Sequence, residues 1–326
     1  MSSRSGLAPF TDLSPDRLLE AVEVVGVASD GRLFELNSYE NRVYQIGLAS
    51  GGLCVAKFYR PDRWSDAQIL EEHVFSTELV AADLVVSTPM MLNGATLHTH
   101  RDLRFAVFPK LAGRAPELDG VDSLELLGRA LGRVHAVGAI GRFARRPRLS
   151  IERLGWQARD TLLNSPVIEG VIDSALIDRY VEVSAVLLEQ VEMSLDRFGP
   201  QSQIRLHGDC HLGNILWGHN GPVFVDLDDC MAGPRIQDLW MLLSGSPDEQ
   251  EGQWQALMRG YRQFNQIDES ERELIEPLRS LRMIHHSAWI AQRWGDPAFP
   301  RAFPWFTSGR FWQEYLSSLW QQVELI

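Results

Sequence analysis

The sequence predicts an α+β fold in two parts: a small β-rich part over residues 1–110 and a larger helical part over 111–326. Three observations carry this. Strand-like runs crowd into the first third, among them Arg42-Val43-Tyr44-Gln45-Ile46 and Leu53-Cys54-Val55-Ala56-Lys57-Phe58-Tyr59, with Gly51-Gly52 between them as a hairpin requires. Beyond Pro109 to Gly113, where Pro and Gly punctuate the chain, apolar residues recur at helical spacing instead. One β-rich island, from Arg205 to Asp229, interrupts the helical part.

The elements follow in order. Ser14-Pro15-Asp16 ahead of Leu18, Leu19, Val22 and Val25 reads as a capped helix with Pro at its first position. Ser65-Asp66-Ala67-Gln68 opens a second helix, on which Glu72, Phe75 and Leu79 share a face with the strands. Met90-Met91-Leu92, Ala95-Thr96-Leu97-His98 and residues 104–109 predict further strands. In the helical part Leu124, Leu127, Leu131 and Val134 lie on one face, and a long amphipathic helix is expected over 174–197. After Pro234 the pattern is helical to the end, apart from an expected loop over 296–304.

Hydrophobic residues make up 45% and charged residues 23% of the 326, the balance of a folded chain rather than a disordered one. A net charge of -12 argues against nucleic acid or an anionic membrane surface as partner. Cys54, Cys210 and Cys230 fit neither a zinc site nor a disulfide framework, so reduced thiols are expected. The first ten residues lack an apolar signal core, and no run is long enough for a transmembrane helix. A cytoplasmic monomer is the expectation.

The island carries the chemistry. A short strand, Ile204-Arg205-Leu206, leads into His207-Gly208-Asp209-Cys210-His211-Leu212-Gly213-Asn214, followed by a hairpin that ends on Asp226-Leu227-Asp228-Asp229. Asn214 lies five residues after Asp209, the spacing of a protein-kinase catalytic loop. Mg²⁺ prefers carboxylate and amide oxygens, which Asn214 and Asp226 supply. Asp209 is placed to take the proton of an acceptor hydroxyl. Asp209 and Asp226 are therefore the catalytic candidates, with Asn214 and Asp226 as metal ligands. Capping and turn duty is the plain alternative for these residues. His207 and His211 raise zinc, but no Cys/His set completes such a site; His207 reads as a brace for the loop. Asp228 and Asp229 are placed outside the metal ligands, and Asp238 as a helix cap or loop brace. Trp289, Trp294, Trp305, Trp312 and Trp320 read as core, with an aromatic acceptor pocket as the alternative.

The nucleotide side lies in the β-rich part. Lys57 on Val55-Ala56-Lys57-Phe58 sits where a lysine pairs with ATP phosphates and with a helix glutamate, Glu72 in preference to Glu71. No glycine-rich loop precedes it. In its place stands Leu36-Asn37-Ser38-Tyr39-Glu40-Asn41-Arg42, where Ser38 and backbone N–H groups suit phosphate oxygens. The whole reads as a protein-kinase-like two-lobed fold, with residues 1–110 binding nucleotide and 111–326 carrying the catalytic loop, metal site and acceptor-binding helices.

The island resembles that of the aminoglycoside phosphotransferase and choline kinase superfamily. Leu36 to Gln45, Lys57-Phe58-Tyr59-Arg60-Pro61, Arg63-Trp64, Gln68 to His73, Gly233-Pro234, Gln237 to Leu243 and Arg293 to Pro300 resemble the stress response kinase A family more closely still. The resemblance implies Asp209 as proton acceptor, Asn214 and Asp226 on Mg²⁺, and Ser38 at ATP. It further implies a bacterial cytoplasmic serine/threonine protein kinase of the stress response that autophosphorylates. A kinase of small alcohols or amino alcohols is the alternative, because the same island serves both acceptors.

Overall fold

The computed structural model describes residue 10 and residues 13–117, 120–198 and 203–326. The reading of the first ten residues therefore lies, Phe10 apart, outside the described residues. Two compact units form, Met1–Pro147 with Gln203–Ile267, and Arg148–Ser202 with Asp268–Ile326.

The helices are α1 Pro15–Val24, α2 Asp66–Ala81, α3 Val121–Ile140, α4 Gln157–Leu163, α5 Pro166–Val171 and α6 Ser174–Phe198. After them come α7 Gln237–Trp240, α8 Pro247–Tyr261, α9 Ile275–Gln292, α10 Ala298–Ala302 and α11 Gly309–Leu325. The strands are β1 Ser29–Leu36, β2 Arg42–Leu48, β3 Leu53–Phe58, β4 His98–His100, β5 Leu103–Pro109, β6 Ile204–Leu206, β7 Ile215–Gly218, β8 Gly221–Phe224 and β9 Met231–Gly233.

In the first unit β1 to β5 make an antiparallel sheet in the order β1-β2-β3-β5-β4. The period-2 alternation of β3 and β5 gives the sheet two apolar faces. Ala56, Phe58, Phe105 and Val107 pack with Leu18, Ala21 and Val22 of α1. Tyr59, Ala106 and Phe108 pack with Ile69 of α2. Lys57 belongs to this second side and pairs between Val43 and Ala106, so it stands on the middle strand rather than an edge. The Ser65 hydroxyl and the Gln68 side chain close a capping box on α2, which fixes where that helix starts and which face Glu72 presents.

Farther along the same unit, α3 and α8 pack backbone to backbone: a Cβ on Gly128 would collide with the Leu257 carbonyl. β6 pairs with β9 and β7 with β8. In the second unit Trp312 is buried against Tyr180 and Phe306, whereas Trp305 and Trp320 are partly exposed. The core reading of that tryptophan stripe thus holds for Trp312, holds in part for the half-buried Trp289 and Trp294, and fails for Trp305 and Trp320.

Three details differ from the sequence reading. The strands expected at 90–92 and 95–98 shrink to one bridge, Leu92 with Ala95, and to the first residue of β4, His98, because Asn93 and Gly94 turn the chain at positive φ. β1 was not expected, since its residues are mostly exposed and polar. The loop expected over 296–304 contains the single-turn helix α10. Among the described residues no helix is long and apolar enough to cross a membrane.

Candidate active site

The loop between β6 and β7 is held by a buried acid. Asp238 accepts from the backbone N–H of His207 at 2.7 Å and of Gly208 at 2.8 Å. Behind it His135 approaches Asp238 Oδ2 at 3.3 Å and meets the Tyr261 hydroxyl at 2.8 Å. Gly208 takes φ +87°, and a Cβ there would collide with the Asp229 carbonyl, so glycine is required. His207 Nε2 lies 2.9 Å from the Val225 carbonyl oxygen, which ties the loop to the residue before Asp226. His207 and Asp238 thus both brace the loop.

Asp209, Asn214 and Asp226 are brought together by this bracing. The Asn214 amide nitrogen donates to the Asp209 carbonyl oxygen at 3.0 Å and lies 3.5 Å from Asp209 Oδ2. The Asn214 carbonyl accepts from the Val225 N–H at 3.0 Å, next to Asp226. Asp226 adopts a left-handed backbone, φ 57° and ψ 68°, a strained choice for a non-glycine residue and one that clusters at functional sites.

Lys57 is buried among carboxylates. Its ammonium lies 2.8 Å from Asp228 Oδ1, 3.2 Å from Asp226 Oδ1 and 3.5 Å from Glu72 Oε1. Burial alone would push the Lys57 ammonium down. The charges of Asp228, Glu72 and Asp226 outweigh it and hold the group well above its ordinary value. For Asp228 burial acts upward, and Arg63, Lys57 and Arg146 overcome it, keeping the carboxyl ionised far below the usual range. Glu72, the predicted partner, is shared with Arg146 at 2.7 Å. Glu71 serves elsewhere: it accepts from the backbone N–H groups of Ala144, Arg145 and Arg146. Ser38 is the second residue of the β1–β2 turn, whose Tyr39 and Glu40 carbonyls accept from Arg60.

The sequence reading missed Arg63, Arg146 and the closeness of Asp228 to Lys57. Arg63 and Arg146 lie far along the chain from Asp228, and only the fold joins them. The Asp-Leu-Asp-Asp run was the available signal, since two further acids beside a metal candidate demand partners if buried.

Behind Lys57, His73 meets the Tyr59 hydroxyl at 2.8 Å and Thr96 Oγ1 at 2.9 Å. Burial, with Lys57 and Arg146 close by, lowers the His73 imidazole to about 3 from 6.5. The unfolded chain therefore binds a proton that the folded chain refuses. Stability is present above pH 6.5 and is lost as pH falls towards 3, by up to about 1.4 kcal/mol per pH unit from this group. His73→Gln is expected to flatten the pH dependence of urea unfolding between about pH 7 and pH 5. An unchanged slope would remove His73 as its source.

Three comparisons accord with this geometry. Residues 33–275 match the phosphotransferase enzyme family. The chain is 40% identical over 317 residues to stress response kinase A of Escherichia coli (strain K12), covering 97% of this chain and 94% of that one. It is 41% identical over 318 residues to the serine/threonine protein kinase RdoA of Salmonella typhimurium (strain LT2), with the same coverage of 97% and 94%. Among solved structures, the amicoumacin kinase hAmiN in complex with AMP-PNP and Ca²⁺ aligns at a TM-score of 0.73 with 18% identity, over 96% of this chain and 93% of that one. The last is a likeness of fold. The kinase-like α+β architecture, the catalytic-loop pattern and these full-length matches lead to one conclusion: the chain belongs to the stress response kinase A family, within the phosphotransferase enzyme family.

Proposed function

We propose that this phosphotransferase is a Mg²⁺- and ATP-dependent serine/threonine protein kinase of a stress response, active in the cytoplasm as a monomer and able to phosphorylate itself. The observation that carries the reading is the cluster of Lys57, Asp226, Asn214 and Asp209 around one braced loop. The name of one relative, the serine/threonine protein kinase RdoA, supports a protein acceptor. In this reading residues 1–110 hold the nucleotide, with Ser38 and the Lys57–Glu72 pair at the phosphates and the backbone at the end of β5 at the base. Residues 111–326 supply the catalytic loop and the metal ligands.

The donor set suits Mg²⁺. The Asn214 amide nitrogen is taken by Asp209, which leaves its oxygen for a cation, and the Asp226 carboxylate is half exposed. These hard oxygens leave the other positions to water and phosphate, as Mg²⁺ prefers. When bound, the ion neutralises phosphate charge. Lys57 adds a fixed positive charge at the phosphates. Asp209 orients the acceptor hydroxyl and takes its proton as the oxygen bonds to the γ-phosphorus. The bond to the bridging oxygen breaks, and ADP leaves with that electron pair.

Asp226→Ala is expected to weaken ATP binding in Mg²⁺ by about tenfold or more, or ~1.4 kcal/mol. Calorimetric titration with and without Mg²⁺ measures it, and an unchanged metal dependence would place the ion elsewhere. The acceptor is tested with γ-labelled ATP, the purified protein, a protein acceptor such as casein, and a panel of small alcohols and amino alcohols. Label on protein serine or threonine is the expected result. Label confined to a small molecule would replace the protein-kinase reading with a metabolite kinase.

A further inference from the structure

Arg63 follows β3 in a tight turn, and no role in the transfer has yet been given to it. Its guanidinium is largely buried and grips two successive carboxylates: Nη1 lies 2.5 Å from Asp228 Oδ2, and Nη2 lies 2.6 Å from Asp229 Oδ1. Its Nε is 3.7 Å from Glu40 in the β1–β2 turn that carries Ser38. Asp228 turns its other oxygen to Lys57 at 2.8 Å, nearer than Glu72 at 3.5 Å. Arg146 completes the frame: it donates to the Asp228 carbonyl at 2.6 Å and to Glu72 at 2.7 Å. Both arginines lie over the Trp64 ring, at 5.3 Å for Arg63 and 4.6 Å for Arg146.

A planar fork is the side chain that can fix a carboxylate's orientation as well as its charge. Buried ion pairs contribute little net stability, so a frame of this size beside Lys57 calls for another use. We propose that Arg63 is a positioning residue for phosphoryl transfer: it fixes Asp228, and Asp228 fixes the Lys57 ammonium beside Asp226. This rests on the reading that Lys57 meets the nucleotide phosphates. Without Arg63, Asp228 turns freely and its uncompensated charge draws Lys57 away from them.

The test compares Mg²⁺-dependent binding of ATP and of adenosine, which has no phosphates, by wild type, Arg63→Met, Lys57→Met and the double variant. Arg63→Met should weaken ATP about tenfold and leave adenosine within about twofold. In the Lys57→Met background the same change should have little further effect on ATP, because residues that act through one another are not additive. Arg63→Lys, which keeps charge but loses the fork, should restore only part of the affinity. Equal loss of ATP and adenosine, or an equal ATP loss with and without Lys57, would overturn the proposal. If Arg63→Met does not fold, the charge-balanced pair Arg63→Gln with Asp228→Asn serves the same comparison. There a selective ATP loss supports the proposal, and wild-type ATP affinity overturns it. Wild-type protein that binds neither ligand would instead sink the nucleotide reading beneath it.

Discussion

Asp209→Asn is expected to lower the rate of transfer by about 10²–10⁴-fold, the usual loss for a general base, with ATP affinity unchanged. The substitution keeps the size and shape of the side chain while removing its charge and its ability to take a proton. The loop should survive it, because Asn214 anchors mainly on the Asp209 backbone carbonyl, at 3.0 Å, and only loosely on the carboxylate, at 3.5 Å. Lys57 is held by Asp228, Asp226 and Glu72, and Asn214, the metal candidate beside Asp209, keeps its bond to the backbone carbonyl. Single-turnover rates and an ATP titration on the same preparation separate the two effects. A variant with wild-type rates would remove Asp209 from the chemistry, and one that no longer binds ATP would make it part of the nucleotide site.

Asp238→Ala should cost about 2–6 kcal/mol of stability, because it strands two buried N–H donors at about 1–3 kcal/mol each. The carboxylate is fully buried and is the acceptor for His207 N and Gly208 N, with His135 against it. Urea unfolding measures the loss. The surviving folded fraction should also transfer phosphate slowly, since the loop that aims Asp209 has lost its brace. Wild-type stability in this variant would mean that the loop is held by other contacts.

Local signals made much of this molecule legible. Ser65 and Gln68 announced α2 through a capping box, and the helical period then selected Glu72 over Glu71 as the partner of Lys57. The Asp209-to-Asn214 spacing and the hairpin after it pointed to the β6–β7 loop as the candidate site, and both features depend only on neighbours in sequence. What escaped was long-range or exposed. β1 was missed because an exposed strand on the sheet edge carries no apolar alternation to betray it. The grip of Arg63 on Asp228 spans 165 residues and that of Arg146 spans 82, and no periodicity encodes such pairings. Asp238 was legible as a brace or cap. Its choice of the two N–H groups at 207 and 208 required the fold to bring α7 against the β6 turn.

The most direct test of the central claim is a single-turnover transfer from γ-labelled ATP, with Mg²⁺ titrated, for wild type beside Asp209→Asn. The arrangement of Lys57, Asp209, Asn214 and Asp226 predicts transfer that depends on Mg²⁺ and is slowed about 10²–10⁴-fold in the variant, and the proposed protein-kinase reading expects the label on serine or threonine of protein. Transfer that is equal in both proteins, or that proceeds without a divalent ion, would contradict it.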